Sequence, residues 1–330
     1  MTAIDRIAQI VQGHEVFIQG HNFPDADSLA SAYGMKHLLE LKGVASDIIY
    51  VGKIERLTIS RMMEILEIHI ALDEEEPRLS ADDQIIIVDA QKHNSNIKDC
   101  VGEEVVCIDH HPFAGEAEYR FSDIRPDVGA CSSIIAGYFG EAGLVPDRKA
   151  ATALLYGIYM DTLGLKRGTS NFDVEMFAFL YPLADHGLLD RLYSNTMRFE
   201  ELVAFGDAIK NIQVYDNVAI VRLDTQCSDG LIAEIGEFML NLLEIELCVV
   251  YAIRENGVKL SLRSELPHIK AGGAMAEALA GIGSGGGHAE MAGGFIHRLD
   301  IPPRLDEVIR ARFLDVFKKG GFKGVSKRIS

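Results

Sequence analysis

The chain has 330 residues, of which 48% are hydrophobic and 25% charged, and its formal net charge at pH 7 is −17. This length supports two domains with separate cores, and the composition is that of an ordinary soluble globular protein. The acidic balance argues against binding along a nucleic-acid duplex, and the apolar runs fall far short of the roughly 18 residues of a membrane span.

The N-terminal residues predict a docked helix rather than a secretory signal. Ile4, Ile7, Ala8 and Val11 share one face at helical spacing, and no basic region precedes an apolar core. Five scattered cysteines without a C-x-x-C pair argue against a disulfide framework or a zinc ribbon and favour a reducing compartment. We therefore expect a cytoplasmic protein that does not engage a membrane.

The first half of the sequence alternates strands and helices. The pattern predicts strands near residues 15–20, 46–51, 84–89 and 104–109, and helices near residues 3–12, 28–42, 57–68, 131–143, 148–160 and 171–183. Strands that are apolar throughout and alternate with helices indicate a parallel sheet covered on both faces. Asp27 and Ser28 precede a helical run, so one of them is expected to be its N-cap. The fold class is α/β, with a parallel-sheet N-terminal domain over residues 1–185.

A smaller α/β domain is predicted over residues 211–330, after a helical connector at residues 186–210. Residues 212–223 and 247–262 each read as a hairpin, and helices are expected near residues 230–242, 273–280 and 304–318. The glycine cluster at residues 283–287 either is a flexible loop or lets backbone amides approach an anion. The tail from Lys318 onward, with basic residues among glycines, is expected to be a mobile end.

Acidic and histidine residues follow three of the predicted strands. Because the carboxyl ends of parallel strands meet at one edge of an open sheet, we expect these side chains to lie together. Taken singly, each group has another explanation, as a helix cap, the start of a turn or a solvated loop. The groups are His21, Asp25 and Asp27 after the first strand, Asp89 at the end of the third, and Asp109, His110 and His111 at the end of the fourth.

Taken together, these groups predict a metal site. Crowded carboxylates and imidazoles would repel or stay unpaired unless a cation neutralised them. Oxygen and nitrogen ligands without thiolates suit Mn²⁺, Mg²⁺ or Co²⁺. The carboxylates exceed what one ion needs, and two ions about 4 Å apart that share a carboxylate can clamp a phosphoryl group. The expected reaction is metal-assisted phosphoester hydrolysis.

The same residues resemble the four motifs of the DHH phosphoesterases. In order, the motifs are His21-x3-Asp25-x-Asp27, a strand-final Asp89, Asp109-His110-His111 and Asp161-Thr162. Residues 285–288 (Gly-Gly-Gly-His) and 292–294 (Ala-Gly-Gly) resemble the signature of the DHH-associated C-terminal domain, and residues 261–264 (Ser-Leu-Arg-Ser) match the strand motif before it. The order and spacing fit over nearly the whole chain.

The resemblance implies a metal-binding role for each matching position of the first domain. His21, Asp25 and Asp89 would hold one Mn²⁺. The second Mn²⁺ would be held by Asp27, Asp89, His110 and Asp161, with Asp89 bridging the two ions. Asp161 follows a segment predicted to be helical, so only the resemblance ties it to the sheet edge.

The resemblance also implies catalytic and substrate-binding residues. His111 would face the scissile phosphate, Asp109 would orient a histidine, and water activated by the two ions would be the nucleophile, without a covalent intermediate. The active site would be the cleft between the domains. Without this context, Arg263 would be read as a solvent-facing strand residue. The implied substrate-binding residues are Arg263, Ser264, Gly286, Gly287 and His288.

Length and layout resemble the nanoRNase and pAp-phosphatase group, related to RecJ. This implies that short single-stranded RNA or DNA oligonucleotides or dinucleotides are hydrolysed to mononucleotides. Alternative substrates are 3′-phosphoadenosine 5′-phosphate (pAp) and cyclic dinucleotides, and the non-enzymatic alternative is a nucleotide-binding module. RecJ-type exonucleases are longer, and family II inorganic pyrophosphatases carry a different C-terminal domain. A homodimer is compatible with the sequence.

Two departures from the family pattern leave the preferred nucleotide open. They are residues 112–115 (Pro-Phe-Ala-Gly) and residues 163–165 (Leu-Gly-Leu), both near where substrate would lie. Phe113 could stack on a base or pack in the core. His93, four residues after Asp89, could reach the site or lie on the surface.

Overall fold

The computed structural model describes residues 1–52, 54, 57–70, 79–94, 96–113, 115, 118–194 and 196–321. The chain divides into two compact units, the first spanning Met1–Thr196 and the second beginning at Met197. The segment predicted as a connector, residues 186–210, therefore contributes to both units.

The first unit is an α/β layer structure whose strands form one parallel sheet in the order β2-β1-β3-β4-β5. β3 is buried along its whole length, as expected for a central strand covered on both faces. The predicted parallel sheet is confirmed, and β5 was not predicted. The elements are α1 (Ala3–Val11), β1 (Val16–Gln19), α2 (Ala26–Leu41), β2 (Asp47–Ile49), α3 (Leu57–Leu66), β3 (Gln84–Val88), β4 (Glu103–Asp109), β5 (Phe121–Ile124), α4 (Cys131–Ala142), α5 (Arg148–Asp161), α6 (Asn171–Leu180) and α7 (His186–Tyr193).

The N-cap of α2 is Asp25, so the prediction of Asp27 or Ser28 as the cap was wrong. Oδ1 of Asp25 accepts hydrogen bonds from the backbone N–H groups of Asp27 and Ser28, both at 3.1 Å. These bonds satisfy donors that the first helical turn leaves without partners. Asp27 consequently lies within the first turn, where its side chain is aimed by the helix.

The second unit contains a mixed sheet in the order β10-β11-β9-β8-β7-β6, in which β7 and β8 are parallel and the other neighbours antiparallel. Both predicted hairpins are present, as β6–β7 and β8–β9. The elements are α8 (Glu201–Asn211), β6 (Gln213–Tyr215), β7 (Val218–Leu223), α9 (Asp229–Leu240), β8 (Leu247–Arg254), β9 (Gly257–Ser264), α10 (Ala271–Leu279), β10 (Ser284–Gly287), β11 (Met291–His297) and α11 (Leu305–Lys319).

Helices cover this second sheet on both faces. Along β7, Val218 and Ile220 belong to the apolar cluster that includes α10 and α11, whereas Ala219 and Val221 belong to the cluster that includes α8 and α9. This alternation is the two-residue period of a strand with two buried faces. The smaller α/β domain expected from the sequence is therefore present.

Residues 284–287 of the glycine cluster form strand β10, so the alternative of a flexible loop was wrong. A Cβ atom on Gly287 would lie 2.3 Å from the carbonyl oxygen of Met291, and one on Gly272 of α10 would lie 2.2 Å from the carbonyl oxygen of Gly287. The φ angle of Gly287 is 152°. Glycine is required here because backbone approaches backbone too closely for any side chain.

The C-terminal helix extends further than the sequence predicted. Lys318 and Lys319, placed in the expected mobile tail, form the last turn of α11. The rest of that tail, from residue 322, lies outside the described residues. In the part of the chain that the structure describes, no helix has both the length and the apolar character needed to cross a bilayer.

Candidate metal centre

Three adjacent parallel strands of the first unit deliver polar side chains to one edge of the sheet. β1 is followed by His21, β3 by Asp89, and β4 ends at Asp109 before His110. Asp89 has a φ of 59°, so the chain turns sharply as soon as the strand ends. The strand order β1-β3-β4 places Asp89 between the other two groups.

The carboxylate of Asp89 lies between two histidines. Its Oδ2 is 3.5 Å from Nε2 of His21, and its Oδ1 is 3.3 Å from Nε2 of His110. The side chain is buried, and Oδ1 accepts no hydrogen bond from any residue that the structure describes. A buried carboxylate oxygen in this state is costly unless a cation completes its environment. Asp89 is therefore suited to bridge two ions.

The first group that could hold an ion consists of His21, Asp25 and Asp89. One ligand atom from each of these residues lies within 4.8 Å of the others. Nδ1 of His21 is 2.9 Å from the carbonyl oxygen of Asn22. A proton on Nδ1 would be donated there, which leaves the lone pair of Nε2 facing the carboxylates.

The second group consists of Asp27, His110 and Asp161, again within 4.8 Å of one another. Nε2 of His110 is 3.4 Å from Oδ2 of Asp161 and 3.9 Å from Oδ2 of Asp27. Nδ1 of His110 is 3.1 Å from the carbonyl oxygen of Val128, which fixes the ring as Asn22 fixes His21. Asp161 is the last residue of α5, so the end of a helix carries it to the edge of the sheet.

Asp27 also accepts hydrogen bonds from the first two residues of α4. Its Oδ2 accepts from Cys131 N at 2.7 Å and its Oδ1 from Ser132 N at 2.9 Å. Even so, burial, followed by the charges of Asp89 and Asp161, raises the pKa of Asp27 well above its ordinary value. The backbone of α4 therefore holds the carboxylate of Asp27 in place, and the carboxylates of Asp89 and Asp161 add negative charge around it.

The histidine pKa values show how strongly this cluster attracts positive charge. Burial acts to lower the pKa of His21, but Asp25 and Asp89 outweigh burial and raise that pKa to about 10. In the same way, Asp89 and other carboxylates raise the pKa of His110 to about 11. Burial, followed by Asp25, raises the pKa of Asp161 to about 7. A divalent cation would replace the protons that neutralise the cluster, so these oxygen and nitrogen donors fit a Mn²⁺-type ion.

His111 is held by a buried carboxylate rather than by a backbone carbonyl. Its Nδ1 lies 2.8 Å from Oδ1 of Asp109, which is fully buried. Burial acts to raise the pKa of Asp109, but the hydrogen bond and charge of His111 outweigh burial, and the pKa is lowered overall. Asp109 therefore stays ionised and orients the ring of its neighbour.

Gln91 is a site residue that the sequence reasoning missed. Its Nε2 donates to Oδ2 of Asp109 at 2.7 Å and to the carbonyl oxygens of His111 and Pro112 at 3.3 and 3.2 Å. Gln91 thus connects the side chain of Asp109 to the backbone of His111 and Pro112. Its only sequence signal is its position two residues after a strand-final aspartate.

Phe113 and His93, whose roles the sequence left open, both lie on the surface. Phe113 is 63% exposed, so it does not pack in the core. His93 is exposed, with Nδ1 3.9 Å from Oδ2 of Asp99, and it belongs to none of the groups of described residues that could hold a metal.

In the second unit, Arg263, Gly287 and His288 line one cavity of about 240 Å³. Arg263 is buried rather than solvent-facing. Its Nε donates to Oε1 of Glu237 at 2.6 Å and its guanidinium also donates to Oγ of Ser261 at 3.1 Å. Ser261 lines the same cavity and was not predicted.

Two other predicted substrate-binding residues lie outside the lining of this cavity. The hydroxyl of Ser264 is buried and donates to the carbonyl oxygen of Ile269 at 3.0 Å, so it stabilises the turn before α10. Gly286 pairs with Gly293 across β10 and β11. No atom lies within 4 Å of a Cβ built on either glycine, so both face open space.

Comparison with known proteins assigns a family model to each unit. The DHH family N-terminal domain matches residues 15–158, and the DHHA1 domain matches residues 216–317. An uncharacterized protein of Methanocaldococcus jannaschii is 29% identical over 311 residues, which are 91% of this chain and 64% of that protein. A probable manganese-dependent inorganic pyrophosphatase of Streptococcus thermophilus is 29% identical over 160 residues, 48% of this chain and 51% of that protein.

The chain thus spans less than two thirds of the length of these two relatives. The crystal structure of an exopolyphosphatase-related protein from Bacteroides fragilis superimposes with a TM-score of 0.73 at 18% identity, and the match covers 97% of both chains. At this identity the similarity shows a shared fold.

Proposed function

Because this chain belongs to the DHH phosphoesterase family, with a DHHA1 domain after the DHH domain, we propose that it is a manganese-dependent enzyme that hydrolyses short oligonucleotides or dinucleotides to mononucleotides. The observation that carries the proposal is the position of Asp89, whose two carboxylate oxygens face the Nε2 atoms of His21 and His110. A manganese-dependent relative supports the choice of ion.

The residues of the first unit would divide between two ions. His21, Asp25 and Asp89 would hold one ion, and Asp27, His110 and Asp161 would hold the other together with Asp89. Ions bound there would supply Lewis-acid chemistry, which neutralises phosphoryl charge and acidifies water.

Other residues of the site would orient the histidine rings and donate a proton to the leaving oxygen. Asn22 and Val128 fix the rings of His21 and His110 through their carbonyl oxygens. Asp109 holds Nδ1 of His111, so Nε2 is the nitrogen that would donate to the leaving oxygen of the phosphoester.

The second unit would bind the substrate through Arg263, Gly286, Gly287 and His288. Arg263 supports this role because its planar guanidinium suits a phosphate, and the ion pair of Lys259 with Asp229 lines the same cavity. We do not assign Ser264 to the substrate because its hydroxyl is used within its own turn.

A substrate panel tests the proposal. The purified protein with Mn²⁺ is given a dinucleotide, pAp, cyclic di-AMP, inorganic pyrophosphate and a twenty-nucleotide strand. We expect the dinucleotide to yield mononucleotides with the highest kcat/KM, because residues 216–317 match the DHHA1 domain, whereas family II inorganic pyrophosphatases are expected to carry a different C-terminal domain.

Other results would redirect the proposal. Phosphate and AMP formed preferentially from pAp would identify a nucleotide phosphatase, and preferential opening of cyclic di-AMP would identify a cyclic-dinucleotide phosphodiesterase. Cleavage of pyrophosphate alone, or nucleotide binding without turnover in saturating Mn²⁺, would contradict it.

A further inference from the structure

Phe23 lies between two of the proposed metal ligands, His21 and Asp25, and its side chain is 59% exposed. Its φ is 54°, in the left-handed region, and it precedes Pro24. A bulky residue before a proline ordinarily takes an extended conformation, so this backbone conformation is strained. Such strain persists only where the surrounding structure holds it, and it concentrates at functional sites.

The backbone on either side of Phe23 is held by neighbouring loops. The N–H of Phe23 faces the carbonyl oxygen of Val51 at 3.4 Å, and the N–H of Asn22 donates to the carbonyl oxygen of Asn96 at 2.7 Å. Oδ1 of Asn22 also accepts from the N–H of Lys98 at 3.2 Å. The loop therefore has a defined shape that projects Phe23 outward.

The ring of Phe23 lies against the backbone of Gly52. The three atoms nearest to a Cβ built on Gly52 all belong to this ring, at 3.2 to 3.3 Å, and Gly52 has a φ of 104°. A side chain at residue 52 would press against the ring, so glycine allows the close contact. The ring is thus supported on the Gly52 side while most of its surface is left exposed.

We propose that Phe23 is a specificity-determining residue whose ring stacks on a nucleobase of the substrate. This inference rests on the proposed function and specifies it, because it requires a substrate that carries a base on the phosphate. Aromatic side chains stack on bases without strong preference among them, since every base offers a π face. The position fits because Phe23 is two residues from each of two proposed metal ligands, so its ring belongs to the loop that borders the proposed phosphate position.

The experiment compares base-containing and abasic substrates. Wild type and the variants Phe23→Ala, Phe23→Leu and Phe23→Tyr are assayed in Mn²⁺ on a dinucleotide and on two analogues, each lacking one base. We expect Phe23→Ala to lower kcat/KM for the dinucleotide by about ten- to a hundredfold, the effect of losing one base–aromatic stack. On the analogue that lacks the stacked base, Phe23→Ala and wild type should be equal.

Two further variants separate stacking from a structural effect. Phe23→Tyr should keep wild-type discrimination between the dinucleotide and the abasic analogue, whereas Phe23→Leu, which keeps apolar bulk, should lose it. The matched control is Tyr181→Ala, an exposed aromatic residue just beyond α6 in the same unit, which should behave as wild type. Mn²⁺ affinity, measured by calorimetry, should be the same in all of these proteins.

Four outcomes would overturn the inference. Equal loss on all substrates, or reduced Mn²⁺ affinity in Phe23→Ala, would show that Phe23 only shapes the loop. Loss of base discrimination in Phe113→Ala instead of Phe23→Ala would move stacking to the other exposed ring. If wild type hydrolyses none of these substrates, the proposed function fails and this inference fails with it.

Discussion

Nδ1 of His111 lies 2.8 Å from Oδ1 of Asp109, a fully buried carboxylate that also accepts a hydrogen bond from Gln91. Burial acts to lower the pKa of His111, but Asp109 and Asp89 raise it overall. The buried carboxylate therefore favours the protonated form of this imidazole.

Replacing Asp109 with asparagine should weaken this pair without emptying the metal centre. We expect Asp109→Asn to lower kcat by about ten- to a hundredfold, as for other residues that orient a histidine. The alkaline limb of the pH–rate profile, where activity that depends on protonated His111 is lost, should move to lower pH, because the variant lowers the pKa of that ring. pH–rate profiles and Mn²⁺ calorimetry measure both effects, and an unchanged profile would exclude the orienting role.

Removing the proposed bridging ligand should abolish turnover in a protein that remains folded. We expect Asp89→Ala and Asp89→Asn to lower kcat/KM by roughly a thousandfold or more, because both ions lose a ligand and each contributes several kcal/mol. Asparagine tolerates the φ of 59° better than alanine and separates backbone strain from loss of charge. Asp190→Ala, on the exposed face of α7, is the control. A near-wild-type rate for Asp89→Asn in Mn²⁺ would refute the bridging assignment.

Substitutions in the cavity of the second unit should affect substrate rather than metal. We expect Arg263→Ala and His288→Ala to raise KM about tenfold or more, since a hydrogen bond to a charged group contributes about 1.5–3 kcal/mol. Mn²⁺ affinity should be unchanged. Glu237→Gln is the matched control, because it removes the ion pair of Arg263 and keeps the guanidinium. If Arg263→Ala lost metal, or if Glu237→Gln reproduced its KM, the assignment to substrate would be wrong.

Of two neighbouring glycines, only Gly287 should lose stability when it is replaced by alanine. A Cβ on Gly287 would lie 2.3 Å from a backbone oxygen and its φ is 152°, so Gly287→Ala should destabilise the protein by about 1–3 kcal/mol. Gly286→Ala places its methyl group in open space and should unfold at the wild-type temperature. Thermal unfolding of both variants measures the difference. Equal stability would show that the close approach of Gly287 and Met291 is not required.

Manganese binding should release protons. Without a cation, His21 with a pKa of about 10 and His110 with a pKa of about 11 are protonated at pH 7.5. Both must lose that proton to coordinate, so the apparent affinity should rise with pH and fall as the solution is acidified. Calorimetry in two buffers should give heats per two-ion centre that differ by about two protons, one from each of these histidines, multiplied by the difference in ionisation enthalpy between the buffers. Equal heats in both buffers would contradict coordination by these rings.

Local sequence patterns were sufficient to predict the strands whose ends form the site. They were not sufficient to predict every strand or every residue of the site. β1, β3 and β4 each contain a continuous apolar run, so their ends and the polar residues after them could be predicted. β5 was missed because Ser122 and Asp123 interrupt its apolar pattern. β10 was missed because glycine has little intrinsic strand preference, and this strand depends on its packing against α10.

The remaining site residues depend on tertiary structure. Asp161 reaches the centre only because α5 ends at that edge, and helical periodicity does not reveal where a helix points. Gln91 acts through three hydrogen bonds to Asp109 and the following loop, and no spacing rule marks such a glutamine.

Gly286 and Gly293 face each other across β10 and β11 and both leave room where a side chain would begin. Bare main chain therefore forms this part of the surface, beside the cavity that contains Arg263. A single substitution at either position would add a new chemical group there without displacing a neighbour. Substitution at these two positions can thus change ligand preference while the architecture and the candidate metal centre stay the same.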